Sequence, residues 1–187
     1  EKDWTKAIAA TKRMEELAKQ PYFKEIAQYH CEIAQGALLH ADYKLVAQEL
    51  DASFATYRGC TRATLIAGDA EAQQGNAAQA IATWQKIESQ NPAFLSLAAD
   101  RIADAYRKQN EREQGIRVLR NYQTQYPSLD LLNALFSLVL EQEGPEAAAT
   151  LIKDEVAQRG VVAEVALHEV EAGGERAALA RPVGVEV

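Results

Sequence analysis

The chain has 187 residues, of which 48% are hydrophobic and 25% are charged. A chain of this length and composition can bury a sizeable core. Its formal net charge of −7 argues against nucleic acid as a partner, because binding to phosphates needs a basic face. No apolar run approaches the roughly 18 to 20 residues that cross a bilayer, so we expect no direct membrane insertion by these residues.

Apolar residues spaced three and four positions apart predict a series of helices over the first 160 residues. We expect these helices at residues 3–19, 22–39, 43–56, 61–73, 77–89, 95–108, 111–125, 131–141 and 146–158. Glycine and proline mark turns and stops between them, as at Gly75, Pro92 and Pro127. Gly59 is typical of a helix C-terminus in the left-handed conformation, and Ser128 is typical of an N-cap.

The stretch from Gln74 to Pro92 is the unit from which the rest of the chain can be interpreted. After its turn it has the residue spacing of the second helix of a tetratricopeptide repeat, namely Ala80, Trp84, Ile87 and Pro92. The same features recur at intervals of 34 or 35 residues. The recurring positions are Ala41, Gly75 and Asn110 at the turn, Ala80 and Gly115 at the small residue, and Pro92 and Pro127 at the stop. Unrelated amphipathic helices would not repeat these three features together.

The sequence therefore predicts an all-α fold, a tetratricopeptide-repeat α-α superhelix built as a right-handed solenoid of antiparallel helix hairpins. We assign residues 1–160 to the repeat array, with about four hairpins or part-hairpins. We expect the array to begin in the middle of a repeat, because a second-helix pattern starts at Trp4. Residues 161–187 form an atypical tail with seven valines, against four in the preceding 160 residues, and we expect part helix and part disorder there.

Residues suited to catalysis or metal binding are sparse and poorly spaced. His30 and Cys31 are adjacent, so on a helix their side chains point about 100° apart and cannot easily share one ion. The sequence has no zinc-protease, dinucleotide or P-loop motif, and a pair such as Asp100 and Asp104 is typical of a solvated helix face. We therefore predict a protein that is not an enzyme, with no catalytic, cofactor-binding or metal-binding residue.

The two cysteines, Cys31 and Cys60, lie in separate segments and form no CxxC pair. A disulfide between them and a pair of free thiols are both open from the sequence. We favour buried, reduced thiols in a protein that faces the cytosol.

The first helix of each hairpin lines the inner groove of such a solenoid, so its polar residues are the candidate binding surface. A mixed polar and apolar groove suits an extended peptide or a helix of a partner protein. The predicted groove residues are Gln28, Gln35, Arg62, Leu65, Asp69, Gln73, Asp100, Asp104, Arg107, Lys108, Asn133 and Ser137. For any one of them, a merely solvated face is the alternative.

Aromatic residues cluster near the N-terminus at Trp4, Tyr22, Phe23, Tyr29 and Tyr43. Without a preceding helix, part of this apolar surface would be uncovered. We therefore expect it to favour self-association.

Three segments of the chain resemble one family in the same order. They run from Trp4 to Ile8, from Glu25 to Ala34 and from Glu143 to Ala148, with the sequences WTKAI, EIAQYHCEIA and EGPEAA. Together they resemble the tetratricopeptide region of the lipopolysaccharide assembly protein B family (LapB, also called YciM), over about residues 1–160.

This resemblance implies a Gram-negative inner-membrane protein whose repeat array lies on the cytoplasmic side. Members of the family are adaptors that help the membrane protease FtsH to degrade the deacetylase LpxC, and they thereby restrain lipopolysaccharide (lipid A) synthesis. FtsH and LpxC are thus the implied partners. The family also has an N-terminal membrane helix and a rubredoxin-like iron or zinc site with two CxxC pairs. Both are implied only outside this chain, in which we expect no cofactor.

Two other interpretations remain open. One is a structural repeat protein of a cell-envelope machine, such as a pilus or outer-membrane assembly factor. The other is the repeat domain of an enzyme whose catalytic domain lies elsewhere. An upstream membrane helix and downstream CxxC pairs in the full gene would favour the adaptor, whereas a lipoprotein signal would favour the structural protein.

Overall fold

A computed structural model of the chain describes residues 3–159. The regular structure of these residues is entirely helical, which confirms the predicted all-α fold of the tetratricopeptide-repeat type. The helices are α1 (Trp4–Ala18), α2 (Phe23–Leu39), α3 (Tyr43–Thr56), α4 (Thr61–Gln73), α5 (Ala77–Gln85), α6 (Ile87–Gln90), α7 (Leu95–Lys108), α8 (Arg112–Gln125), α9 (Leu129–Glu143) and α10 (Pro145–Arg159). A short 3-10 turn, Pro92–Phe94, precedes α7. The prediction for residues 161–187 lies outside the described residues.

The chain divides into two compact units, residues 1–111 and 112–187. In the first unit α2 packs against α3, and α4 packs against α5, so each pair forms a helix hairpin. The first helices of the hairpins are also neighbours, because α2 contacts α4 and α4 contacts α7. The second helices reach forward as well, since α3 contacts α4 and α5 contacts α7. This pattern of contacts is the one expected of stacked helical repeats.

The second unit contains α8, α9 and the described residues of α10. Helix α9 packs against both α8 and α10 and buries Leu135 and Leu138 completely. The predicted packing positions Gly115, Leu119 and Tyr122 of α8 are buried too. They repeat the burial of Ala80, Trp84 and Ile87 in the first unit, so the register read from the sequence holds in both units.

A shared backbone feature marks the ends of α2, α4 and α7. Ala41, Gly75 and Asn110 all have positive φ angles, of 55°, 85° and 58°. After each of them the next N–H donates to a carbonyl five residues earlier, in the pairs Asp42 to Ala37, Asn76 to Glu71 and Glu111 to Tyr106. This bond is the one that closes a Schellman motif and satisfies a carbonyl group at the helix end. Glycine adopts the conformation easily, whereas alanine is strained in it, so Ala41 carries a local cost.

The contact of Trp84 with Gly68 allows α5 to approach α4 closely. A methyl group added at Gly68 would lie 2.2 Å from Nε1 and 2.4 Å from Cδ1 of the indole ring. The indole N–H donates to the carbonyl of Leu65 at 3.1 Å, and the side chain of Trp84 is only 2% exposed. The ring is thus fixed by a hydrogen bond as well as by packing. Gly68 is therefore needed because no other residue leaves room for the ring.

Two local predictions were wrong. Gly59 is not among the described residues with positive φ, and α3 has already ended at Thr56. Here glycine instead makes room for the ring of Tyr57, which would lie 3.3 Å from an added methyl group. The helix predicted at residues 77–89 is interrupted at Lys86, whose N–H bonds to the carbonyl of Thr83 three residues earlier. That tighter turn separates α5 from α6.

The predicted N-cap at Ser128 is confirmed, although the helix that it caps starts earlier than predicted. The hydroxyl of Ser128 accepts from the N–H of Leu131 at 3.1 Å. Since an N-cap side chain bonds to the second or third helical residue, the helix has to start directly after the cap, at Leu129.

We expect Gly68→Ala to destabilise the first unit by about 1–3 kcal/mol, because the new methyl group would displace a buried ring with nowhere to move. The matched control is Gly36→Ala within α2, where an added methyl group meets nothing within 4 Å. We expect this control to stabilise the protein by about 0.5–1 kcal/mol, because alanine is the better helix former. Urea unfolding followed by circular dichroism measures both changes. Equal stabilisation by the two substitutions would contradict the proposed role of Gly68.

We expect Ala41→Gly to stabilise the protein by about 0.5–1 kcal/mol, because it relieves a positive φ angle that alanine adopts poorly. The control is Ala47→Gly, at an exposed position inside α3. There the same substitution should cost about 0.5–1 kcal/mol, since glycine loses more conformational freedom in a helix. Thermal unfolding should therefore shift in opposite directions. A lower melting temperature for both variants would show that Ala41 is not strained.

Candidate functional site

The candidate site is the groove face, which we define as the side of α2, α4 and α7 that carries the predicted groove residues of the first unit. These three helices are neighbours in the order α2, α4, α7. The structure places the predicted residues at two levels of exposure. Gln73, Asp100, Asp104 and Lys108 are exposed, whereas Gln28, Gln35, Arg62, Leu65, Asp69 and Arg107 are half-buried. The exposed set lies at the C-terminal end of α4 and along α7.

Arg62 links two helices of the groove face. Its Nη1 donates to Oε1 of Glu32 at 2.7 Å, which joins α4 to α2. The two side chains are 33% and 34% exposed, so the pair is screened only partly by solvent. Arg62 was predicted as a groove residue, but its partner Glu32 was not. The guanidinium is therefore engaged within the scaffold.

Asp69 forms the corresponding link between α4 and α7. Nε of Arg101 donates to its Oδ1 at 2.6 Å, and Nη1 of the same arginine donates to the carbonyl of Leu97 at 2.6 Å. Burial raises the pKa of Asp69, and the neighbouring Arg101 and the Trp84 indole offset that effect only in part. Arg101, like Glu32, was missed from the sequence. The two ion pairs thus link α2 to α4 and α4 to α7.

A sequence signal for these two pairs exists, but it differs from the repeat period. Glu32 and Arg62 are 30 residues apart, and Asp69 and Arg101 are 32 apart. Both separations are shorter than the period of 34 or 35 by about one helical turn. Neighbouring first helices thus meet with a stagger of one turn. Opposite charges at that shorter spacing are the pattern that would have identified both pairs.

The exposed part of the groove face combines charge with apolar surface. Leu97 is 51% exposed at the start of α7. On the same helix Asp100 and Asp104 are exposed, and Asp104 accepts from Nη1 of Arg107 at 2.6 Å. Lys108 is exposed in the last turn. This face therefore offers carboxylates, an ammonium group and an aliphatic side chain to a partner.

Two predicted groove residues, Asn133 and Ser137, lie on α9 in the second unit. Asn133 is exposed and Ser137 is half-buried, and they are one turn apart on the helix. They thus share one side of α9, while its buried leucines face α8 and α10.

Other side chains singled out in the sequence have structural partners in the first unit. Nδ1 of His30 lies 2.7 Å from Oε2 of Glu49, which joins α2 to α3. Trp4 stacks on Tyr29 with ring centroids 5.7 Å apart. Most of the N-terminal aromatic cluster is therefore half-buried, and Phe23, at 39%, is its exposed member.

Within residues 3–159 no group of three or more His, Cys, Asp or Glu side chains is arranged to hold a metal ion. Nor does any helix of this region combine the length and the apolar character needed to cross a membrane. The thiols of Cys31 and Cys60 are both buried and not joined by a disulfide.

Comparison with known proteins supports the repeat assignment. The sequence profile of the tetratricopeptide repeat family matches residues 98–128. These residues cover most of α7, all of α8 and the N-cap of α9. Repeats of this kind point to a scaffold that mediates contacts between proteins.

The chain is also similar to lipopolysaccharide assembly protein B of Escherichia coli. It is 23% identical over 150 residues to that protein from strain K12, and the same values hold for the proteins of the O6:H1 and O157:H7 strains. The match covers 80% of this chain but only 39% of the relatives. Together, the two comparisons support a relationship to LapB-like tetratricopeptide proteins. This relationship points to a non-catalytic scaffold.

We expect the Glu32–Arg62 pair to behave as a coupled unit. Arg62→Glu or Glu32→Arg alone should destabilise the first unit by about 0.5–1 kcal/mol, because each places like charges together at a partly exposed site. The double variant should recover most of the loss, since the two charges are exchanged. A double-mutant cycle by urea unfolding measures the coupling.

The control for this cycle is Arg120→Glu, a charge reversal at an exposed position inside α8. We expect it to change stability by less than about 0.5 kcal/mol. Strictly additive effects of the two single reversals would show that the pair contributes nothing to holding α2 and α4 together.

Proposed function

We propose that this chain is the protein-binding part of a non-enzymatic adaptor and that the groove face holds a segment of its partner. The observation that carries the proposal is that the half-buried charges of that face pair between helices, whereas the exposed side chains of α7 are open to a partner. The pairs between helices are Glu32 with Arg62 and Asp69 with Arg101, and they favour a rigid surface. The exposed side chains of α7 then lie on a support that does not need to be ordered on binding, and this lowers the cost of association.

The groove face suits a short extended or helical peptide segment better than a small molecule. Its exposed charges on α7 run from two carboxylates, Asp100 and Asp104, to the ammonium group of Lys108, and Leu97 supplies apolar area at the start of the helix. Such a surface provides polar contacts that set the register and apolar contacts that add affinity. Tetratricopeptide repeats in general mediate contacts between proteins, which agrees with this assignment.

At the finer level, we propose that the full protein is a regulator of lipopolysaccharide (lipid A) synthesis that promotes degradation of LpxC by FtsH. The support is the similarity to lipopolysaccharide assembly protein B, together with the segment resemblance at residues 4–8, 25–34 and 143–148. The chain spans 39% of the length of those relatives, so the proposed partners concern the whole protein. Its proposed location is the cytoplasmic side of the inner membrane. The alternative, a structural envelope protein, has no comparable support.

The groove assignment predicts that Leu97→Ala, Asp100→Ala and Lys108→Ala together weaken binding to purified LpxC on the order of tenfold or more. These three side chains are exposed on α7, so their loss should remove contacts to the partner while leaving the fold intact. The matched control is Gln79→Ala with Lys86→Ala, at exposed positions of the α5–α6 segment. Biolayer interferometry with the wild-type chain and both variants measures the affinities.

Equal affinity of the groove variant and the control variant would contradict the groove as the binding surface. In the source bacterium, loss of the full protein should lengthen the half-life of LpxC, and the wild-type gene should restore it. An unchanged half-life would contradict the role in LpxC degradation but would leave the scaffold assignment in place.

A further inference from the structure

The two cysteines lie together in the interior, although 29 residues separate them along the chain. Sγ of Cys31 on α2 is 3.7 Å from Sγ of Cys60, the N-cap residue of α4. Both side chains are almost completely buried, at 0% and 1% exposure. The groove function described above makes no use of them.

The surroundings of the two sulfur atoms distinguish them chemically. Nε2 of Gln28 is 3.7 Å from Sγ of Cys60 and donates to it. The hydroxyl of Ser53 donates to the carbonyl of Ala27 at 3.0 Å, and its oxygen lies 3.5 Å from Sγ of Cys31. The hydroxyl proton is thus already used. Cys60 therefore receives a hydrogen bond from Gln28, whereas the thiol of Cys31 has two acceptors within reach, Ser53 Oγ and Cys60 Sγ.

The position of Cys60 at a helix N-terminus acts in the same direction. The hydrogen bond with Cys31 lowers the pKa of the Cys60 thiol, burial opposes this effect, and the N–H groups of Ala63 and Arg62 in the first turn of α4 lower the pKa further. The same Cys31–Cys60 hydrogen bond, together with burial, raises the pKa of Cys31. Cys60 is therefore the more acidic thiol of the pair, and a thiolate rather than a thiol attacks disulfides and peroxides.

We propose that Cys31 and Cys60 are a redox modification site, which forms a reversible intramolecular disulfide between the first helices of two successive hairpins. A disulfide needs the sulfur atoms about 2.0 Å apart, so they must approach by about 1.7 Å from the present separation. The sulfur atoms would approach each other by rotation of the two side chains.

The oxidant is a small-molecule disulfide such as oxidised glutathione. The Cys60 thiolate attacks one sulfur of the oxidant, whose S–S bond breaks, and a first glutathione thiolate leaves and takes the proton of Cys31. The Cys31 sulfur then attacks the Cys60 sulfur and displaces a second glutathione thiolate, which is protonated by water. Two protein thiols are thereby oxidised by two electrons, and one glutathione disulfide is reduced to two thiols.

Access to the buried pair runs through the connection between α3 and α4. Tyr57 to Gly59 form this short connection, and Cys60 directly follows it. The backbone N–H of Cys60 donates to the carbonyl of Tyr57, in a local turn. Local opening of such a segment requires less free energy than global unfolding. Cys60 is thus the first of the two sulfur atoms to meet an oxidant.

The proposal is tested by treating the purified, fully reduced chain with oxidised glutathione under native conditions and counting thiols after denaturation. We expect both thiols to disappear, the intact mass to fall by two hydrogen atoms, and dithiothreitol to restore both thiols. Trypsin should release residues 25–44 joined to residues 59–62 through one disulfide, because cleavage after Lys24, Lys44, Arg58 and Arg62 isolates each cysteine.

Single variants test the order of attack. In Cys31→Ala we expect Cys60 to retain glutathione as a stable mixed disulfide, because the sulfur that displaces it is missing. In Cys60→Ala we expect Cys31 to stay unmodified over the same time. If a variant fails to fold, peptide mapping of the wild-type chain still decides the question. Two titratable thiols after treatment, or disulfides only between chains, would overturn the proposal.

Discussion

The packing of Trp84 on Gly68 is the constraint on which the first unit depends. The ring occupies space that a single methyl group at residue 68 would take, and its N–H is bound to the carbonyl of Leu65 on the same helix. Helix α5 is thereby fixed at short distance from α4. Ala80, the small residue of the same helix, is completely buried. Because α5 also contacts α7, the placement of α7 follows from the same joint. A repeat scaffold gains its geometry from such nearest-neighbour joints.

The joints between first helices have a different chemistry. Glu32 with Arg62 and Asp69 with Arg101 join α2, α4 and α7 through ion pairs that are partly exposed. Exposed pairs of this kind contribute little free energy, so apolar packing holds the helices together and the ion pairs set their register.

Much of this fold could be predicted from the sequence because the repeat signals are local. The turn positions Ala41, Gly75 and Asn110 share a positive φ angle, and their spacing alone identified them as equivalent. The interruption at Lys86 could not be predicted, because it depends on one hydrogen bond to Thr83 within an otherwise good helical pattern. The helix end predicted at Gly59 was wrong for a related reason. Glycine is required at this position by the neighbouring ring of Tyr57 and not by a positive φ angle.

The candidate site was predictable only in part. The periodicity identifies the helices that form it, but not the side chains with which its residues form ion pairs. The pattern placed Arg62 and Asp69 on one face of α4, but pairing depends on the stagger between neighbouring helices, which the repeat length does not contain. The thiol pair illustrates the same limit: Cys31 and Cys60 are separated by 29 residues and meet because α2 and α4 are staggered by about one turn.

Glu32 follows Cys31 directly, and Arg62 lies two residues after Cys60. The ion pair and the thiol pair thus occupy one joint, with charge toward solvent and sulfur toward the core. A covalent bond at this joint would fix the spacing that the ion pair only favours, and with it the distance between two of the three helices that form the groove face.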